Sequence, residues 1–125
     1  MTRNTPTPLA QCPRETLAAI DGVLTDIDET VSTRSQLTAE AYGAMEALKK
    51  AGFRVIPVTG RPAGWCDLIA RFWPVDAVVG ENGAFWMWRD GKARKLRTRF
   101  VLGEAGRAEG KRRLGAVRGQ VLADV

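Results

Sequence analysis

The chain has 125 residues, 45% of them hydrophobic and 26% charged, a balance that excludes disordered, collagenous and fibrous classes. It contains no histidine, which excludes a Ser-His-Asp triad, a Cys-His dyad, His-ligated metal and an imidazole base. Its two cysteines, Cys12 and Cys66, stand far apart and argue against a disulfide framework or a thiolate zinc site. The net charge of +5 is uneven: residues 89–118 hold eleven basic and three acidic side chains, a net +8, against −3 for the remainder.

Residues 1–17, with Pro6, Pro8 and Pro13, read as a flexible lead-in without the apolar stretch of a secretory signal. No apolar run approaches a membrane span, so a cytoplasmic protein without a membrane partner is expected. Val23 to Ile27 reads as a strand. Thr38 to Ala51 reads as a helix, with Thr38 as N-cap, Glu40 in the first turn, and Gly52 as the stop. Phe53 to Val58 reads as a second strand, although Pro57 cannot donate to an interior ladder. Pro62 opens another helix to about Trp73, and Ala77 to Val79 forms a third strand. This β-α-β-α-β order predicts an α/β fold with a parallel sheet and right-handed crossovers. Phe85 to Leu96 then reads as a hairpin around Asp90-Gly91, and Glu104 to Leu122 as a basic helix weakened by four glycines.

Parallel strands put their carboxyl ends on one edge, where open α/β sheets bind ligands. Polar residues fall at that edge three times: Asp26-Ile27-Asp28-Glu29-Thr30, Thr59-Gly60-Arg61, and Glu81-Asn82-Gly83. In extended backbone Asp26 and Asp28 lie on one side, about 6.5 Å apart. Two such carboxylates call for a divalent cation such as Mg²⁺ or a shared proton, and are equally consistent with two solvated loop aspartates. Thr59 and the Gly60 amide before a helix can form an anion pocket or an ordinary turn. Arg61 can contact phosphate or face water, and Asn82 can orient a substrate or cap a turn.

Together these residues resemble the haloacid-dehalogenase (HAD) superfamily of phosphohydrolases. Asp26-Ile27-Asp28-Glu29-Thr30-Val31 resembles its DxDx[T/V] motif, Val58 to Pro62 its second motif, and Gly80 to Ala84 the turn after the third strand in the branch carrying a large cap there, the Cof-type and sucrose-phosphate-phosphatase-like enzymes. The resemblance covers about residues 20–90. It implies a partial Rossmann-like three-layer core over 18–92, with a basic segment over 93–125 beginning the cap. It implies a Mg²⁺-dependent phosphatase acting on a sugar phosphate or similar small ester. Asp26 would be the nucleophile and Asp28 the acid and base, both at the Mg²⁺ site, with Asp28 using its carbonyl. Thr59, Gly60, Arg61 and Asn82 would bind phosphate or substrate, and Thr30 would brace the loop. The family's later Lys and acidic turn have no counterpart here, so the chain reads as truncated, with its first strand at an open edge. Other readings are a non-catalytic fragment, a receiver domain, which the Glu81-Asn82 turn disfavours, and a nucleic-acid binder using Lys111, Arg112 and Arg113 with Trp86 and Trp88. For the last, a solvated basic face is the simpler account.

Overall fold

The computed structural model describes residue 6 and residues 8–123. The lead-in is partly helical: a 3₁₀ turn spans Leu9–Gln11, and a short helix α1 spans Arg14–Ala18, with Pro8 and Pro13 as N-caps. A proline's fixed φ suits a helix entrance, so the residues that suggested flexibility instead start these turns. Strand β1 covers Gly22–Thr25. A small hairpin that the sequence reading lacks follows, β2 (Ser32–Thr33) against β3 (Gln36–Leu37), turning through Arg34 and Ser35 at φ 51° and 60°.

Helix α2 spans Ala39–Lys50, and the Thr38 hydroxyl accepts from the Ala41 amide at 3.2 Å as the capping residue should. Strand β4 (Arg54–Pro57) pairs in parallel with β1, from Gly22 opposite Arg54 to Thr25 opposite Pro57. Helix α3 (Ala63–Phe72) leads to β5 (Val78–Gly80), which a parallel bridge between Val58 and Val79 joins to β4. The sheet then changes polarity. Strands β6 (Phe85–Asp90) and β7 (Lys95–Phe100) add antiparallel pairs, with Asp90 Oδ1 accepting from the Lys92 and Ala93 amides in the turn. The expected boundary at residue 92 falls inside this turn, so β7 continues the sheet. Helix α4 (Glu104–Ala123) runs uninterrupted through its glycines. The result is a mixed α/β fold with a small parallel sheet and antiparallel strands. Among the described residues, no helix is long and apolar enough to cross a membrane.

Pro57 is accommodated by the way β4 divides its amides. Arg54 and Val58 donate to β1, at Asp21 O and Thr25 O. Val55 donates instead to Asp76 Oδ2 at 2.8 Å, and Thr59 to Val79 O at 2.9 Å. Pro57 lies on this second side, where a single bridge replaces a full ladder. Its missing N–H therefore breaks nothing.

Both crossovers move the same way across the sheet, and a right-handed path puts α2 and α3 on one face. The Tyr42 hydroxyl of α2 donates to the Phe72 carbonyl of α3, so the two helices adjoin. Beneath α3 lies the core, with Cys66, Ile69 and Ala70 over Val78, Phe85 and Met87. Each of the larger ones, Ile69, Val78, Phe85 and Met87, is worth about 1.5–3 kcal/mol when buried. Lys49 pairs with Asp76, fastening the end of α2 to the loop before β5. Both α2 and α3 therefore cover the same face of the sheet. Strand β1 has β4 as neighbour on one side only among the described residues, and Leu24 on it is 70% exposed.

Candidate functional site

The polar clusters at the ends of β1, β4 and β5 do meet. Leu24, Thr25, Asp26, Val58, Thr59, Gly60 and Asn82 line a cavity of about 370 Å³ at the carboxyl edge of the parallel strands. The chain builds it from backbone upward. Immediately after β4, Thr59 is drawn under β5 by its amide bond to Val79 O, leaving it 3% exposed. Its hydroxyl accepts the Arg61 amide at 3.1 Å, which leaves the hydroxyl proton free to donate. The Gly60 amide has no hydrogen-bond partner among the described residues. A Cβ at Gly60 would sit 3.1 Å from Asn82 Oδ1, so any larger residue there would push the Asn82 side chain aside.

Asn82 reaches this position through an unusual turn. Glu81, Asn82 and Gly83 all have positive φ, at 48°, 55° and 98°. Asn tolerates the left-handed region better than most side chains, and the turn is anchored by Asn82 N–H to Thr59 O at 3.1 Å and Glu81 N–H to Arg61 O at 3.2 Å. Gly80 before it packs too closely for any side chain: a Cβ would lie 2.5 Å from Phe85 and 2.6 Å from Cys66 Sγ. Burial pushes the Cys66 thiol above its ordinary range, assisted by the charge of Glu81, so it is a packing group and a poor nucleophile.

The loop after β1 divides the two aspartates. Asp26 is exposed, its carboxylate has no hydrogen-bond partner among the described residues, and it lines the cavity. Asp28 does not line it. Instead, Arg61 grips Asp28 with two guanidinium nitrogens, Nε donating to Oδ2 at 3.2 Å and a terminal nitrogen to Oδ1. That grip, through the hydrogen bonds first and the charge second, holds the Asp28 carboxyl below the usual carboxylate range. The same guanidinium stacks on the Trp65 ring, 4.3 Å from its centroid. The expected convergence of two acids and a hydroxyl is thus half met: Asp26 joins Thr59, Gly60 and Asn82, whereas Asp28 is turned towards Arg61.

Thr30 contributes to the loop through its backbone, donating to Ile27 O at 3.3 Å. The side-chain brace is Ser32, which is buried and whose hydroxyl donates to the same carbonyl at 2.9 Å. The Ile27 oxygen also accepts from the Val31 and Ser32 amides, and buried Ile27 plugs the loop into the core. Sequence reasoning missed Ser32 and Trp65; a serine two residues past Thr30 and a tryptophan in the first turn of α3 carry no local signature. For a cation, the chemistry of the donors fits Mg²⁺ in kind: the Asp26 carboxylate and the Asp28 carbonyl are hard oxygens, and Mg²⁺ commonly keeps several waters beside one or two carboxylates. Among the described residues, no group of three Asp, Glu, Cys or His side chains gathers to complete a cage.

A second cavity, of about 920 Å³, adjoins the first through Asn82. It lies between the Glu81–Gly83 turn and the start of α4, with Phe85, Phe100 and Leu114 as apolar walls and Arg107 and Lys111 on its border. Comparison of the chain with protein-family models, curated proteins and solved structures finds no match in any of the three.

Proposed function

We propose that the chain carries the phosphate-handling half of a phosphohydrolase site, with Asp26 as nucleophile. The observation that supports this most is the shared cavity, in which one unpartnered carboxylate faces a buried hydroxyl, an unpaired glycine amide and an asparagine. A phosphate monoester seated there offers its equatorial oxygens to the Thr59 hydroxyl, the Gly60 amide and Asn82. Asp26 attacks phosphorus in line, the bond to the leaving alkoxide breaks, and an aspartyl-phosphate remains for water to hydrolyse. Phosphoryl transfer asks chiefly for such positioning and charge neutralisation. Asp26 and the Asp28 carbonyl would hold a Mg²⁺, which when bound supplies positive charge that lets a carboxylate approach a phosphate dianion. HAD-type chemistry on a small phosphate ester, sugar phosphates included, is the reading these residues support.

Asp28 as proton donor requires one rearrangement. The Arg61 grip lowers the Asp28 pKa further and so opposes the protonated form a donor needs. A phosphate dianion competes for the same guanidinium, since Arg binds phosphate and carboxylate in the same forked manner. Once Arg61 turns to phosphate, the contact that depresses the Asp28 pKa is lost and the neighbouring phosphate charge pushes it upward, which favours the protonated carboxyl that donates to the leaving group. The grip also favours a second reading, phosphate binding without turnover.

The test is phosphate release from a generic aryl phosphate with and without Mg²⁺, in the chain and in Asp26→Asn. Because the family's Lys and acidic turn have no counterpart here, only weak turnover is expected, with mass spectrometry showing one phosphoryl group on Asp26 when a phosphodonor is added. Loss of a nucleophile commonly costs about 10⁴–10⁶ in rate, and that is the expected effect of Asp26→Asn. Phosphate binding with no release and no Asp26 adduct selects the second reading. Release unaffected by Asp26→Asn rejects the first.

A further inference from the structure

The two faces of the sheet are not treated alike. On the α2/α3 face Val55, Pro57, Val78, Phe85 and Met87 are buried. On the other face their alternates are only partly covered. Strand register places Leu24 beside Ile56, Val58 beside Val79, and Val79 beside Trp86, with Trp88 next along β6. These six side chains form one continuous apolar band across four strands. Its margins at β4 and β7 are cationic, whereas at the carboxyl edge Leu24 and Val58 adjoin Asp26 in the candidate site. Arg54 closes it at β4, while Arg97, which also pairs with Asp90 at 3.4 Å, and Arg99 face Trp88 and Trp86 across the β6–β7 ladder, Arg99 lying 5.6 Å from the Trp86 centroid. Parallel strands occur almost only in sheets covered on both faces, and a sheet face is covered most readily by helices.

We propose that this face is the docking surface for an acidic amphipathic helix of a partner protein, with an apolar stripe on Leu24, Ile56, Val58, Val79, Trp86 and Trp88 and carboxylates towards Arg54, Arg97 and Arg99. Charge complementarity decides the occupant. The chain's own exposed apolar helical stripe, Leu114, Val117 and Val121 on α4, is flanked by Lys111 and Arg118. A second copy docking through α4 would set these cations against Arg97 and Arg99, a like-charge contact that rejects wrong partners. A nucleic acid would satisfy the arginines and stack on the tryptophans, but would leave the four aliphatic side chains against phosphate and sugar. An apolar stripe with carboxylates only on the flanks that meet Arg54 and Arg99 matches the aliphatic band and its cationic margins and keeps clear of Asp26.

The experiment uses the full chain and two fluorescent synthetic helical peptides of about five turns, identical in a Leu stripe at i, i+3, i+4 and i+7 and differing only in Glu or Lys on the flanks. Fluorescence anisotropy should show saturable binding of the Glu peptide, weakened by salt, and at least about tenfold weaker binding of the Lys peptide. The double variant Arg97→Glu/Arg99→Glu should reverse that preference, and Trp88→Glu should weaken both. Both arginines are exposed, and circular dichroism checks that the variants fold. The discrimination by the unmodified chain stands as the test even without them. Equal affinity for the two peptides, binding of neither, displacement of the Glu peptide by oligo-dT, or a dimer whose dissociation alone frees the face would each overturn the proposal.

Discussion

The segment from β1 to the Glu81–Gly83 turn and helix α4 differ in what fixes their polar groups. In the first, backbone bonds between neighbouring segments place the polar groups: Thr59 by Val79 and Asn82 by Thr59. In α4, periodicity alone distributes the charges. Every side chain along it from Lys111 to Ala123 is exposed, and its fastening is local, through Arg107 stacked 4.0 Å over Phe100 and Arg107 N–H to Gly103 O. Catalytic or binding geometry needs the first kind of placement, because a site tolerates little looseness. A charged surface needs only the second.

This contrast can be broken by a pair of truncations. Ile69→Ala, under the sheet, is expected to cost about 2–5 kcal/mol in chemical denaturation, because it opens a cavity in a close-packed core. Leu114→Ala, on α4, is expected to fall within about 0.5 kcal/mol of the parent. Equal costs would show that α4 is packed as tightly as α3. A gentler change sharpens the same point. Gly115 has open space where a Cβ would go, so Gly115→Ala is expected to raise the helicity of α4 by up to about 1 kcal/mol locally while leaving the denaturation midpoint of the sheet nearly fixed.

The smallest effect concerns pH. The folded-state pKa of Asp28 is depressed by Arg61, so the grip stabilises the fold above the ordinary carboxylate value of 3.8 and that contribution disappears as pH falls through the lower folded value. Titrating the Asp28 carboxyl by carbon NMR should show a midpoint below 3.8 that rises in Arg61→Gln. An unchanged midpoint would mean that the two groups do not pair in solution.

Much of the parallel segment was legible because its signals are local. Thr38, Gly52 and Pro62 punctuate two amphipathic helices, and the polar residues follow each strand at once. The β2–β3 hairpin was hidden because Arg34 and Ser35 occupy left-handed positions where Asn-Gly would have advertised the turn. The Asp28–Arg61 grip joins residues 33 positions apart, a pairing that strand order brings near but no spacing rule foretells. Helix α4 showed the reverse: four glycines argued against it, yet none interrupts it, since glycine weakens a helix by about 1 kcal/mol without forbidding it.

The change of strand direction at β5 has an electrostatic corollary. Because β6 turns back and β7 turns again, β7 ends at the same edge as β5, and the cationic side chains of α4 start out beside the cavity that holds Asp26. Long-range attraction from that helix would raise the local concentration of anions and their rate of arrival, while their grip, once seated, belongs to Thr59 and Gly60. Anion capture by this chain should therefore slow with added salt far more than anion release quickens.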